Sequence, residues 1–410
     1  MQLLVGSTIV VNNWERHYII STIEDSMVRL TVYLISVFLI VGYPLIGLFV
    51  NAVLNFDPHK EVKEYFKKPL CSVIEPKDRA MAMVFFLFLV GSIIVVMHIY
   101  LAMPAFPLDV VLHGTDLEKA LFRSKMRFDF EGNIYVYNLY GKTLIPVLSF
   151  ISVAYTSLLP RKIIWRFYSF LLIVLSMLAL TADLQKAPLL LYFIGLFVLW
   201  TWLKGGFNFS RMFFLSLISM AVIIVLYVTF SGSDSLIVGI RSALYRLMLG
   251  QIGPLYIFFD YFPDKHSFVI GGDLPEWMTD ILGIEHTNTS RMIMEYFNPE
   301  GIKAGTAGLM NTIFIGQAYA NFGPLGVAIF AIYIFALLQF IFIAFIRLPK
   351  TPIFVGVFAY LTTEVPMMLM RGALEFVYNP RFLFLVLTLS IIVLFSRSIT
   401  HSAQYTNSHR

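Results

Sequence analysis

The stretch Gly323–Ile346, GPLGVAIFAIYIFALLQFIFIAFI, decides the fold class. Its 24 residues carry no charged side chain. A helix that crosses the hydrocarbon core of a bilayer needs about 20 mostly apolar residues, so this stretch predicts a transmembrane helix. The whole chain of 410 residues has a similar composition, with 58% hydrophobic residues, 13% charged residues and a mean hydropathy of +0.78. Soluble domains carry about 25% charged residues, which excludes a water-soluble fold.

Apolar segments on either side of this stretch predict eight further spanning helices by the same length criterion. The nine predicted helices are Met27–Leu54, Ala80–Met103, Gly141–Leu159, Ile163–Ala182, Ala187–Leu203, Met212–Phe230, Gly323–Ile346, Pro352–Met370 and Phe382–Ser396. We therefore predict an all-α polytopic integral membrane protein, with a single membrane domain over residues 1–410. Two long polar connections, at 104–142 and 231–322, interrupt the apolar helices.

The distribution of lysine and arginine predicts the orientation of these helices. One set of connections holds 15 basic residues in 58 positions, whereas the other set holds 14 in 155 positions. The denser set comprises 55–79, 160–166, 204–211, 347–350 and 397–410. We expect the denser set on the cytoplasmic side, which makes both long connections external loops. The formal net charge of +5 does not indicate nucleic-acid binding, because the charges are divided between the two sides of a membrane.

The first external loop is basic. It carries Lys119, Arg123, Lys125 and Arg127, and Leu117–Phe128 is predicted to be a short helix. Residues four apart on a helix share a face, so Arg123 and Arg127 point the same way. One interpretation is a solvated, salt-bridged surface helix. The other is a cationic rim that binds phosphate, since arginine makes bidentate bonds to phosphate oxygens.

The second external loop opens with Arg241, Tyr245, Arg246 and Gln251 among apolar residues. These arginines either turn into a cavity or reach toward lipid headgroups. Further along the loop are acids, two histidines and Arg291, which suit acid–base chemistry or the binding of sugar hydroxyls. These residues are Asp260, Asp264, His266, Asp273, Glu276, Asp280, Glu285, His286 and Arg291. None has the spacing of a metal site, and we predict no metal.

Polar residues at the edges of the predicted helices complete the candidates. Asn311, Gln317, Tyr319 and Asn321 follow or precede glycines. Helix packing explains the glycines, but amides at membrane depth need hydrogen-bond partners and indicate a binding role.

Isolated charges lie in or beside other predicted helices. Asp183 and Lys186 are expected to pair with each other in a hairpin turn. Glu364 lies within a predicted span, and Arg371 is its expected partner, in either a structural or a functional pair.

The order of these features resembles the Wzy-type oligosaccharide repeat-unit polymerases of bacterial O-antigen and capsule synthesis. The resemblance covers roughly residues 80–396 and rests on loose motifs. They are the basic loop Arg123–Asn133, the Lys186 turn, the helix Arg246–Gln251 and the run Gly316–Gly323. Members of that family usually have more than nine spans, which is a departure.

The resemblance implies an inverting, metal-independent glycosyltransferase without cofactors. It would work on undecaprenyl-diphosphate-linked glycans at the outer face of the bacterial cytoplasmic membrane, among membrane lipids and with a chain-length regulator as a further candidate partner. Positioned arginines can stabilise a diphosphate leaving group in place of a metal. The candidates for that role are Arg123, Arg127, Arg241, Arg246, Arg291 and Arg371, with Gln251, Asn311, Gln317 and Tyr319 as further substrate-binding residues.

The base that activates the acceptor hydroxyl is left open among Glu285, His286 and Glu364. Three alternative functions also remain open. An O-antigen ligase would share this architecture. A lipid-linked glycan flippase or another transporter would line a cavity reachable from both faces with its charges, and a structural membrane subunit would tolerate substitution of its loop arginines.

Overall fold

Eight long apolar helices dominate the computed structural model. It describes residues 6–12, 19–23, 25–71, 78–206, 208–211 and 248–408, with isolated positions at 3 and between 213 and 244. The eight helices that are long and apolar enough to cross a membrane are Ser26–Val53, Arg79–Leu101, Val136–Leu158, Ile163–Thr181, Lys186–Leu203, Phe314–Arg347, Pro352–Arg371 and Leu374–Phe395. They confirm the all-α polytopic fold and eight of the nine predicted spans. Most of the ninth, Met212–Phe230, lies outside the described residues.

The chain divides into two compact units. The first comprises Met1–Pro58, Ile224–Ala344 and Val365–Tyr378, and the second comprises His59–Ile223, Phe345–Glu364 and Asn379–Arg410. The first contains helices Ser7–Asn12, Ser26–Val53, Ile252–Tyr261, Glu276–Leu282, Thr289–Phe297, Pro299–Lys303 and most of Phe314–Arg347, with 3-10 turns at Ile20–Thr22 and Leu374–Phe376. The second contains Lys63–Lys67, Asp78–Leu101, Pro107–His113, Asp116–Phe128, Ile145–Leu158, Ile163–Thr181, Lys186–Leu203, most of Pro352–Arg371 and Pro380–Ser408, with π-helical segments at Pro58–Val62 and Val136–Leu144.

The core of the first unit is built around the short helix Ile252–Tyr261. Residues Ile252 to Phe259 of this helix are all buried, because it is apolar on every side. The ring of Phe259 stacks on Tyr319 with centroids 3.7 Å apart. The helix Ile252–Tyr261 therefore belongs to the core of this unit.

The helix Phe314–Arg347, called the broken helix below, begins before the predicted start at Gly323. Its backbone is interrupted at that glycine, where φ is 61° and ψ is −153°, and Pro324 follows. Only glycine adopts this region of backbone space readily. The carbonyls of Ala320 and Asn321 at the break accept hydrogen bonds from the backbone N–H groups of Val269 and Ile270, at 3.0 and 3.1 Å. The loop before this helix therefore satisfies polar groups that the break exposes.

The second unit packs its helices through aromatic rings and small residues. Trp165 is buried and stacks on Tyr155 with centroids 4.1 Å apart. At Gly356, an added Cβ would come within 2.9 Å of the backbone nitrogen of Ile151. The two helices can approach this closely because position 356 has no side chain, as is typical of membrane helix pairs.

The predicted helix in the first external loop is confirmed as Asp116–Phe128, called the amphipathic helix below. Thr115 and Glu118 form a reciprocal capping box at its start. The bonds from the backbone and hydroxyl of Thr115 lower the pKa of the Glu118 carboxyl. Phe122 and Met126 are buried, which fixes the face that the helix turns toward the rest of the unit.

Candidate active site

The second unit contains a buried ion pair between Lys142 and Asp183. The ammonium of Lys142 donates a hydrogen bond to the Asp183 carboxylate, and the two side chains are only 13% and 7% exposed. Lys142 Nζ also lies 4.5 Å from the centroid of the Tyr137 ring. The predicted pair of Asp183 with Lys186 is wrong, because the partner of Asp183 comes from a helix 41 positions earlier in the chain.

Two arginines lie close to this pair. Arg127 and Arg381 are both within electrostatic range of Lys142. More than a third of Arg127 is exposed, but surrounding protein atoms still lower its pKa, while the charge of Asp183 raises it. Among the described residues, Arg127 has no ion-pair partner. The side chain of Arg127 therefore carries a positive charge that is available to a ligand.

Glu364 joins the same group through Arg381. An Nη1 hydrogen bond of 3.4 Å connects Arg381 to Glu364 Oε1, and the Tyr360 hydroxyl donates to Oε2 at 3.3 Å. The side chain of Glu364 is 14% exposed. The sequence indicated Arg371 as its partner, and that pairing stays a prediction because the two residues belong to different compact units.

We call Arg127, Lys142, Asp183, Glu364 and Arg381 the charged cluster. The cluster has three cations and two carboxylates, which form two ion pairs, and all five residues belong to the second unit. The excess positive charge of Arg127, beside two pairs of low exposure, favours an anionic ligand. Glu364 accepts hydrogen bonds from Arg381 and Tyr360, and a carboxylate there is the kind of group that accepts a proton from a ligand hydroxyl.

The first unit holds a separate polar group around Asp273. Its carboxylate accepts hydrogen bonds from the Thr289 backbone at 2.8 Å, the Thr289 hydroxyl at 2.6 Å and Asn321 Nδ2 at 2.9 Å. Asn321 Oδ1 in turn accepts from the Gly271 backbone. Burial raises the pKa of Asp273 more than these bonds lower it. Hydrogen bonds of Asp273 therefore connect the loop that contains it to the broken helix.

The other predicted residues of the first unit have mostly structural contacts. Arg291 pairs with Glu295 at 2.8 Å, and Arg371 pairs with Glu375 at 3.4 Å. Gln317 Oε1 accepts from the Leu374 backbone at 2.9 Å, and Tyr319 packs between Phe259 and Phe268.

The remaining predicted residues show fewer contacts. Glu285 and His286 are exposed, and the backbone carbonyl of Leu274 lies 2.9 Å from His286 Nδ1. Asn311 is half-buried, and the Gln251 carbonyl accepts from Thr312. Arg241 and Arg246 lie outside the described residues. Of the predicted site residues, the second unit therefore brings Arg127 and Glu364 into one cluster.

Sequence reasoning missed Lys142 and Arg381 as site residues. Lys142 lies in the last turn of the π-helical segment Val136–Leu144, and Arg381 lies in the first turn of the helix Pro380–Ser408. A charge within a membrane-spanning segment was the available signal. In the described part of the chain, no three His, Cys, Asp or Glu side chains come together as a metal site, and the absence of a metal stays a prediction. No family model, no curated protein and no solved structure matches the chain.

Proposed function

We propose that the chain is a membrane glycosyltransferase that joins oligosaccharide repeat units carried on a prenyl diphosphate, at the outer face of a bacterial cytoplasmic membrane. The observation that carries this proposal is the charged cluster, in which Lys142 pairs with Asp183, Arg381 pairs with Glu364, and Arg127 has no ion-pair partner among the described residues. The predicted orientation puts 104–142, 183–186 and 371–381 on the external side.

The chemistry needs a cationic site and a base. An acceptor hydroxyl oxygen attacks the anomeric carbon of the donor, and the bond from that carbon to the diphosphate oxygen breaks. The electron pair of that bond leaves with the diphosphate, whose negative charge Arg127 and Arg381 stabilise. The hydroxyl proton passes to a carboxylate.

Glu364 is the base that the geometry favours among the three candidates. It lies within the charged cluster, whereas Glu285 and His286 are exposed residues of the other unit. Asp183 is less suited to the role, because the Lys142 ammonium already occupies its carboxylate.

The test uses cells that lack this chain and are complemented with variants, with the glycan ladder read on a gel. We expect Arg127→Gln and Glu364→Gln to leave mainly the single-repeat product, since removing one group that stabilises developing charge costs roughly 100-fold or more in rate. The matched control is Lys125→Gln, a neighbouring cation outside the charged cluster, which should keep the full ladder. A full ladder from both site variants, inserted at normal levels, contradicts the proposal. Full-length polymer retained on the prenyl carrier would instead indicate a ligase.

A further inference from the structure

The short helix Glu276–Leu282 of the first unit turns large apolar side chains outward. Trp277 is 52% exposed and Ile281 is 76% exposed, whereas the polar residue Thr279 between them is fully buried. A helix has about 3.6 residues per turn, so the positions two before and two after Thr279 point to the opposite side of the helix. Thr279 thus faces the protein, and the apolar residues face away from it. This is the reverse of the pattern on a helix that faces water.

One ring contact places this helix beside a membrane-spanning segment. The rings of Trp277 and Tyr378 meet edge to face, with their centroids 5.6 Å apart. Tyr378 lies near the start of the spanning segment Leu374–Phe395, and its neighbour Val377 is exposed. Trp277 therefore lies close to the level at which this segment leaves the apolar layer. Tryptophan and tyrosine are enriched at that level, because one end of each ring is apolar and the other is polar.

A backbone contact places the loop before the helix at the end of another span. The N–H group of Ile270 donates to the Asn321 carbonyl at 3.1 Å. Asn321 comes two positions before Gly323, where the long apolar run of the broken helix begins. Ile270 is exposed, and so is Leu325 in the first turn of that run. The segment 270–282 is thus held at the ends of two spans by two separate contacts.

The charges of this segment exclude one way of binding a membrane. Residues 266–290 include no lysine or arginine, and they include four acids, Asp273, Glu276, Asp280 and Glu285. Attraction to anionic headgroups depends on lysine and arginine, so it does not hold this segment. The driving force that remains is the removal of apolar surface from water, about 25 cal/mol for each Å².

We infer that the outward face of this helix, formed by Trp277, Ile281 and Leu282, inserts into the interface of the surrounding membrane. The Trp277 ring lies at the headgroup level, and the two aliphatic side chains contact the boundary of the acyl chains. Exposed apolar surface beside a spanning segment is thereby removed from water. The membrane is then a second support for the loop that contains Asp273, in addition to its hydrogen bond to the broken helix.

The experiment measures the accessibility of a nitroxide spin label on the full-length protein in nanodiscs of phosphatidylcholine. Ile281→Cys and Glu300→Cys are each made in a Cys71→Ser background, because Cys71 is the only cysteine. Glu300 is exposed on the helix Pro299–Lys303 of the same unit and provides the aqueous reference. Oxygen concentrates in lipid and a nickel chelate concentrates in water. We expect the label at position 281 to collide mainly with oxygen and the label at position 300 mainly with the chelate.

Two variants test which side chains hold the face in the membrane. Trp277→Gln, added to the Ile281→Cys protein, should move the label at 281 toward water. Glu276→Gln is the matched control on the acidic side of the same helix and should leave the collision ratio unchanged. Phosphatidylglycerol added to the nanodiscs should not deepen the label, because the segment has no basic residue.

The accessibility of the label at 281 also separates lipid from other partners. A label that collides with the nickel chelate as often as the label at 300 would overturn the inference. Low accessibility to both reagents would show that protein covers the face, either this chain or a second copy, and would overturn it as well. Neither measurement depends on glycan polymerisation, so failure of the proposed function leaves the inference standing.

Discussion

Lys142 and Asp183 form a buried ion pair whose energetics can be measured directly. Removing one partner leaves an uncompensated charge at low exposure, and breaking such a pair costs about 3–5 kcal/mol. We expect Asp183→Asn and Lys142→Met each to lower the thermal unfolding temperature of the detergent-purified protein. The double variant should be less destabilised than the sum of the two single variants, because it removes both charges together.

The control for this cycle is an exposed pair in the same unit. His113 and Asp109 are 75% and 69% exposed, and an exposed pair contributes about 0–1 kcal/mol at most. Asp109→Asn should therefore leave the unfolding temperature nearly unchanged. Additive losses in the Lys142–Asp183 cycle would show that the two charges are not coupled.

Asp273 gives a pH-dependent prediction. Burial raises its pKa above the unfolded value of about 3.9. The neutral form is thus favoured in the folded protein, so its contribution to stability is full below the unfolded pKa and is lost as pH rises through the folded pKa. We expect the stability of the wild type relative to Asp273→Asn to fall over the pH range that begins near 4 and ends above the folded pKa. The measurement is thermal unfolding of both proteins across that range, and a difference independent of pH would contradict it.

The ion pairs of Asp183 and Glu364 show which contacts the sequence could not predict. Charges in or beside apolar helices identified Asp183 and Glu364 as candidates, because such charges are costly without partners. Their ion-pair partners Lys142 and Arg381 lie 41 and 17 positions away in the chain. Helix spacing predicts neighbours three or four positions apart, and it carries no information on contacts between helices. The expected Asp183–Lys186 pair failed for this reason.

The helix Phe314–Arg347 depends on a glycine at its break. At Gly323, φ is positive and an added Cβ would lie 3.1 Å from the Phe268 ring. We expect Gly323→Ala to destabilise the protein by about 1–3 kcal/mol, the cost of holding another residue in this backbone region. The measurement is thermal unfolding, with Gly42→Ala as the control.

Gly42 suits that purpose because it lies inside the helix Ser26–Val53 and an added Cβ meets no atom within 4 Å. Alanine favours a helix interior over glycine, so Gly42→Ala should be neutral or stabilising by up to about 1 kcal/mol. If Gly323→Ala and Gly42→Ala have the same unfolding temperature, the break in the helix does not depend on Gly323.

The amino-acid composition was sufficient to predict the membrane-spanning helices but not the break at Gly323. Eight spans follow from runs of apolar residues alone, since backbone groups in lipid must bond within a helix. The helix Phe314–Arg347 begins before its long apolar run and is broken at Gly323, where the loop backbone at Val269 and Ile270 supplies hydrogen bonds. Hydrogen-bond partners this far apart in the chain leave no local sequence pattern from which the break could be predicted.

At the scale of the whole molecule, the orientation in the membrane is the prediction on which the external site depends. Cys71 is the only cysteine and lies in the basic connection 55–79, predicted to be cytoplasmic. A membrane-impermeant maleimide should therefore leave Cys71 unlabelled in intact cells and label it after permeabilisation. In a Cys71→Ser background, Glu131→Cys in the first external loop should react in intact cells, whereas Asn208→Cys in the predicted cytoplasmic connection 204–211 should react only after permeabilisation. The reverse pattern would put the charged cluster on the cytoplasmic side, where a lipid-linked glycan awaiting polymerisation outside the cell could not reach it.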